Sequence, residues 1–234
     1  MARTKQNKKS AARVIKKAAG ENVDEILEVG EGVEPVALQV VDDSEGVLPL
    51  KDWHEHVEGD REDVLEDVEV GGHETEAVAR EKKETPSING FTVGTRKGIG
   101  IKTYRVPGTT VALPVRAIIA PLLIGFAREF HQKVERLRKG WCWGYAARSI
   151  RGSKRPSFHW AGIAIDLNAP KHPLGRAGTF NAAQRKTINE LIKKYGLRWG
   201  GNYRRRKDDM HFEVILPRAE AVALAKRIQK GGAK

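Results

Sequence analysis

Cysteine is almost missing from this chain of 234 residues: Cys142 stands alone. One cysteine excludes an internal disulfide framework and any cysteine-rich zinc site. Aromatic residues make up 6% of the sequence and apolar residues 40%, a low share for a chain that folds along its whole length. Long apolar runs are missing too. The best stretch, Val111 to Ala127, is broken by Arg116 and two prolines, so no membrane span is expected. The basic N-terminus has no apolar core behind it, which reads as no secretory signal peptide and synthesis in the cytoplasm. There is no internal repeat, no convincing Ser-His-Asp pattern and no nucleic-acid-binding fold signature.

Charge of one sign dominates each part of the chain in turn. Residues 1–20 carry seven Lys and Arg and no acidic side chain; residues 21–84 carry 22 acidic and five basic ones; residues 85–234 carry 30 basic and eight acidic ones. The formal net charge of +12 would by itself suggest a polyanion partner: nucleic acid, anionic lipid or anionic cell wall. Divided along the chain, it becomes a basic tail, an acidic segment and a strongly basic remainder. The tail (1–20) reads as solvated and able to turn helical on a surface. The acidic segment (21–88) has one aromatic residue, Trp53, and only isolated apolar pairs. It cannot bury enough apolar surface to offset chain entropy, so a mostly disordered linker is expected. His54, His56 and His73 lie in it without a rigid spacing. From 89 to 230, aromatics, glycines and apolar periodicity appear together, and this is the expected folded domain.

Within that domain, Thr109 to Val115 is β-rich. Leu122, Leu123, Phe126, Phe130, Val134 and Leu137 recur at helical spacing, which predicts a helix from about Ala117 to Lys139, with Pro121 favouring a start at Ala120 and Gly140 as the stop. Trp141 to Ala147 and Trp160 to Leu167 read as strands. Thr179 or Asn181 caps a helix reaching Tyr195, ended by Gly196. Leu197 to Trp199 and Met210 to Leu216 read as further strands, and Pro217 opens a last helix to about Gln229. Strands and helices do not alternate regularly, which predicts an α+β fold with a small antiparallel sheet and flanking helices.

Two stretches carry candidate chemistry: Ser157-Phe-His-Trp-Ala-Gly-Ile-Ala-Ile-Asp166 and Lys207-Asp-Asp-Met-His-Phe-Glu213. Aspartate is rare inside an Ile/Ala strand unless it is paired or ligates a metal. Two imidazoles and one carboxylate suffice to hold zinc with a position left open for catalysis. Cys142, between two tryptophans, reads as a small core residue.

The pattern SxHxxGxAxD followed by DxxHxE resembles the signature of the zinc D-alanyl-D-alanine carboxypeptidases and L-alanyl-D-glutamate endopeptidases. This VanY/VanX-type family shares its core with the hedgehog signalling domain. The likeness runs from near Val106 to Ile215 and includes GYAARSIRG (Gly144–Gly152), LNAPKHPLG (Leu167–Gly175) and WGGNYRRRKDDMHFEV (Trp199–Val214). It is strongest to actinobacteriophage endolysin domains. The resemblance implies His159, Asp166 and His211 as zinc ligands and Asp208 as the general base that takes a proton from the attacking water. Asp209 departs from the family pattern, in which a small residue or proline is common. Arg148 would bind the scissile carbonyl oxygen or a substrate carboxylate, with Arg151 as the alternative. Ser157 would orient the peptide or the first ligand, Gly162 would allow close backbone approach, and Glu213 would hold a ligand from behind.

The resemblance further implies a Zn2+-dependent peptidase acting on peptidoglycan stem peptides, as a phage endolysin or virion-associated lysin at the cell wall. Anionic wall polymers would be a second partner for the basic domain. The alternative is a basic nucleic-acid- or scaffold-binding protein with a non-catalytic metal-binding domain. The run Arg204 to Lys207 speaks for it, and the intact set of ligands plus base speaks against it.

Overall fold

The computed structural model describes residues 35–42, 85–150 and 153–231. The basic tail, most of the acidic segment and Arg151 lie outside the described residues. Among the described residues the fold is α+β, built from small antiparallel sheets and three α-helices.

One sheet joins β1 (Gln39–Val40), β4 (Ile101–Arg105) and β5 (Ala112–Arg116) in the order β1-β4-β5. A hairpin pairs β2 (Ser87–Ile88) with β3 (Phe91–Thr92). A single turn of 3-10 helix at Ala117–Ile119 then leads into α1 (Ala120–Lys133), with Pro121 in its first turn, where a missing N–H costs nothing. The second three-stranded sheet contains β6 (Ala164–Asp166), β7 (Leu197–Trp199) and β8 (His211–Val214) in the order β6-β8-β7. Between β6 and β7 runs α2 (Ala182–Tyr195). Asn181 and Gln184 form its capping box and Gly196, at φ 66°, ends it. Pro217 precedes α3 (Arg218–Gln229).

The core lies where α1 meets the β6-β8-β7 sheet, with α2 and α3 packed on α1. Phe212 of β8 points into it, its ring centroid 4.6 Å from Phe126 and 5.6 Å from Phe130. Side chains alternate along a strand. Phe212 therefore faces the helices while His211 and Glu213 share the opposite face.

Several expected elements take other forms. The helix ends at Lys133, not Lys139, because tertiary partners claim the backbone beyond it. His131 Nδ1 accepts from Leu137 N, Asn168 Oδ1 accepts from Arg138 N, and Gln184 donates to the Val134 carbonyl. Trp141 to Ala147 is not a strand but a crossing between the two sheets. Trp143 pairs with Asp166 in an isolated bridge, and Tyr145 N donates to Pro114 O at 2.7 Å. Pro114 has no N–H to return, so no ladder can grow there. Trp160 to Ile163 forms a turn ahead of the three-residue β6. Thr179 does not cap α2; its hydroxyl is used elsewhere. Residues 35–42, inside the expected linker, lie on the domain with Val36 fully buried and Val41 N donating to Thr103 O. Among the described residues, no helix is long and apolar enough to cross a membrane.

Candidate metal centre

Antiparallel register does the first step of assembly. Asp166 of β6 lies directly opposite His211 of β8, and Ala164 opposite Glu213. His159 arrives from the turn before β6. That turn closes with Gly162 N donating to His159 O, and Gly162 adopts φ 70°. A Cβ on Gly162 would lie 2.2 Å from Ile101 Cδ1 and 3.2 Å from Arg116 N. Glycine is therefore needed there both for conformation and for space. Arg116 holds the turn from β5, its backbone N donating to Gly162 O and its Nε to Ala161 O.

The result is a buried cluster of His159, Asp166 and His211, with one ligand atom from each within 4.8 Å of the others. His211 Nδ1 stands 2.9 Å and His159 Nε2 3.3 Å from Asp166 Oδ1. The two imidazole nitrogens stand 3.1 Å apart. The far nitrogen of each ring is committed to an oxygen: His159 Nδ1 donates to Gly144 O at 2.7 Å, and His211 Nε2 to Glu213 Oε2 at 3.2 Å. These bonds leave His159 Nε2 and His211 Nδ1 as the ring nitrogens turned toward the Asp166 carboxylate. Two nitrogens and an anionic oxygen so arranged fit a divalent cation of the zinc type.

Electrostatics agree with this donor chemistry. Burial raises the Asp166 carboxyl, but His159 and His211 outweigh it and hold it well below the usual range. Burial lowers the His211 imidazole, but hydrogen bonds to Asp166 and Glu213 hold it well above its ordinary value. The cluster thus favours positive charge at its centre. Glu213 would also be raised by burial, yet His211 and Arg198 hold it at about 2. It accepts from Arg198 Nε at 2.6 Å and from the Tyr203 hydroxyl at 2.8 Å as well.

Asp208 behaves oppositely. Burial and the Asp166 carboxylate push it up to about 7, against the pull of His211 and Arg206. Its Oδ1 is buried with no hydrogen-bond partner among the described residues. Its backbone is fixed by Asp208 N to Gly200 O and His211 N to Asp208 O, both 3.1 Å. Asp209, its neighbour, is turned away: its Oδ2 accepts from Thr179 N at 2.9 Å and Thr179 Oγ1 at 2.6 Å. The structure therefore separates the two carboxylates, with only Asp208 held in the field of the cluster.

Arg148 is half-buried immediately after the crossing segment. Ser157 ties that segment to the His159 turn, its hydroxyl donating to Arg148 O at 2.7 Å and accepting from Trp160 N at 3.2 Å. Both functions of the hydroxyl are thus used on backbone. The Cys142 thiol is buried and pushed up to about 11 by that burial, which keeps it protonated. Sequence reasoning missed Gly144 O, Arg198 and Tyr203. Arg198 lies opposite Glu213 in the β7–β8 register, a charge pair that becomes visible only once the strand pairing is known.

Residues 151–214 match the family model described as D-alanyl-D-alanine carboxypeptidase. That span contains the three clustered residues, Asp208 and Glu213. The match supports a peptidase of this kind, a hydrolase directed at peptidoglycan peptides. No curated protein matches the chain, and no solved structure does.

Proposed function

We propose that the protein is a zinc-dependent peptidase of peptidoglycan stem peptides, of the kind used by bacteriophages to open the cell wall. One observation carries the reading. His159 Nε2, Asp166 Oδ1 and His211 Nδ1 converge, with both outer ring nitrogens already bonded to oxygen, beside an aspartate pushed up to about 7.

His159, Asp166 and His211 would hold the ion, and a zinc ion there supplies Lewis-acid chemistry for amide hydrolysis. Asp208, as carboxylate, takes the proton of the attacking water and returns it to the departing amine. A base with a pKa near the working pH suits both transfers. Arg148 binds the scissile carbonyl oxygen or a substrate carboxylate, for which a permanently charged planar fork is suited. Glu213 keeps His211 in the tautomer that presents Nδ1 to the centre. Ser157, through the Arg148 carbonyl and Trp160 N–H, joins the substrate-binding segment to the His159 turn. Arg151 remains the alternative to Arg148 as the binding arginine. The basic domain favours acidic stem peptides and anionic wall polymers through long-range attraction.

The test is digestion of purified peptidoglycan with and without chelator, alongside zinc analysis. His159→Ala and His211→Ala are expected to lose both zinc and hydrolysis, and Asp208→Ala to lose hydrolysis while retaining zinc. Full activity of Asp208→Ala removes it as the base. Chelator-insensitive cleavage, or no cleavage by the zinc-loaded protein, overturns the peptidase reading.

A further inference from the structure

A second buried polar array borders the metal centre without supplying a ligand to it. Glu135, just beyond α1, faces His172 Nε2 through its Oε2 at 2.8 Å. His172 Nδ1 stands 2.7 Å from Thr179 Oγ1, which donates to Asp209 Oδ2 at 2.6 Å. Asn168, two residues beyond Asp166, donates through Nδ2 to the same Glu135 oxygen at 3.0 Å. His172, Asn168 and Asp209 are each at most 3% exposed, and the His172 ring stacks on Phe180 at 3.9 Å.

The direction of these bonds is fixed by inventory. Asp209 Oδ2 accepts the Thr179 backbone N–H as well as its hydroxyl. The single Thr179 hydroxyl hydrogen is therefore committed to Asp209, and its oxygen faces His172 Nδ1. Glu135 Oε2, the partner of His172 Nε2, is likewise an acceptor. The array is thus fully satisfied only with a proton on both ring nitrogens, which the Glu135 carboxylate has to hold against the burial that lowers this imidazole. Thr179 is the link that joins the two halves of the belt. One half ends beside Asp166 through Asn168. The other ends on Asp209, whose neighbour Asp208 has a buried oxygen with no bond of its own to orient it.

We infer that the Glu135–His172–Thr179–Asp209 belt is the positioning device for Asp208, with the Thr179 hydroxyl as its essential link; the inference rests on the peptidase reading above. Asp209 is drawn toward Thr179 on one side of the chain, and Trp199 Nε1 holds its carbonyl at 2.8 Å on another. With Asp209 so clamped, the backbone that carries the Asp208 carboxyl is held from its C-terminal side, as the Asp208 N to Gly200 O bond holds it from the other. A general base must be held to within a fraction of an ångström, so a loosened clamp lowers turnover more than substrate binding.

The experiment compares Thr179→Val, which keeps shape and the backbone N–H but loses the hydroxyl, with Thr179→Ser, which keeps it. Zinc content, kcat and KM on a stem-peptide substrate, and the His172 ring N–H resonances are measured for each. Thr179→Val is expected to retain zinc, to lose about tenfold or more in kcat with KM changed less than about twofold, and to lose the protected Nδ1–H resonance. Thr179→Ser is expected to lie within about twofold of the parent and to keep that resonance. Equal kcat in Thr179→Val and the parent, or Thr179→Ser as slow as Thr179→Val, overturns the inference. So does loss of zinc in step with activity. Should the zinc-loaded parent cleave no stem peptide, the peptidase reading fails by itself. The resonance then decides the belt: its survival in Thr179→Val overturns it.

Discussion

Burial and the Asp166 carboxylate together push the Asp208 carboxyl up to about 7, and the sign of this shift sets a trade between stability and function. An acid whose pKa is higher in the folded state than in the unfolded one, where it is about 3.9, stabilises the fold at low pH. That contribution is lost as pH rises through about 7. Glu213, held at about 2, acts the other way: its contribution is present above about 4.3 and is lost as pH falls toward 2. At pH 8 the ionised Asp208, with an unpartnered buried oxygen, is therefore a burden on the metal-free protein. Asp208→Asn is expected to stabilise that form at pH 8 by about 1–3 kcal/mol, while abolishing hydrolysis. Thermal unfolding at pH 8 and pH 5 checks it, with the gain shrinking at the lower pH. A melting temperature at pH 8 equal to or below that of the parent contradicts it.

Among the elements, the turn from Ser157 to Gly162 has the least freedom to change. Gly162 combines φ 70° with a 3.2 Å approach of its absent Cβ to the Arg116 backbone. Gly162→Ala is expected to destabilise the fold by about 1–3 kcal/mol and to weaken zinc binding, since the same turn carries His159. Denaturant unfolding and a chelator-competition titration measure the two effects; wild-type values in both refute the argument. This turn also shows where the sequence stopped being legible. The helices were readable because their apolar spacing, Pro121, Asn181, Gly196 and Pro217 are local signals. His211 and Glu213 could be placed on one strand face from their spacing of two. The residues from Trp160 to Ile163 look like strand in composition, but Gly162 turns the chain. Trp141 to Ala147 likewise looks like strand, but Pro114 across from it has no N–H to return. The strand Ile101–Arg105, the belt through Thr179 and the Arg198–Glu213 pair depend on contacts between distant segments, which no local pattern encodes.

At the scale of the whole molecule, the folded unit extends beyond the stretch that composition marks out. Val36 is fully buried, and a Cβ on Gly125 of α1 would come within 2.9 Å of Val36 Cγ2. Arg128 Nη1 donates to Pro35 O at 3.2 Å, and β1 pairs with β4. Val36→Asp would set a charge against an apolar helix face. It is expected to lower the melting temperature by about 5–10 °C through loss of about 2–3 kcal/mol, with kcat on stem peptide nearly unchanged because the metal centre lies on the other sheet. An unchanged melting temperature would mean that the segment adds no stability.

Gln39 and Val40 of β1 pair with Arg105 and Tyr104 of β4, more than sixty residues further along the same chain, so the pairing is intramolecular and independent of protein concentration. Loop-closure entropy rises only with the logarithm of length, by about 0.6 kcal/mol for each doubling. Lengthening or shortening the connection between β1 and β4 is therefore expected to shift the stability of their pairing only slightly.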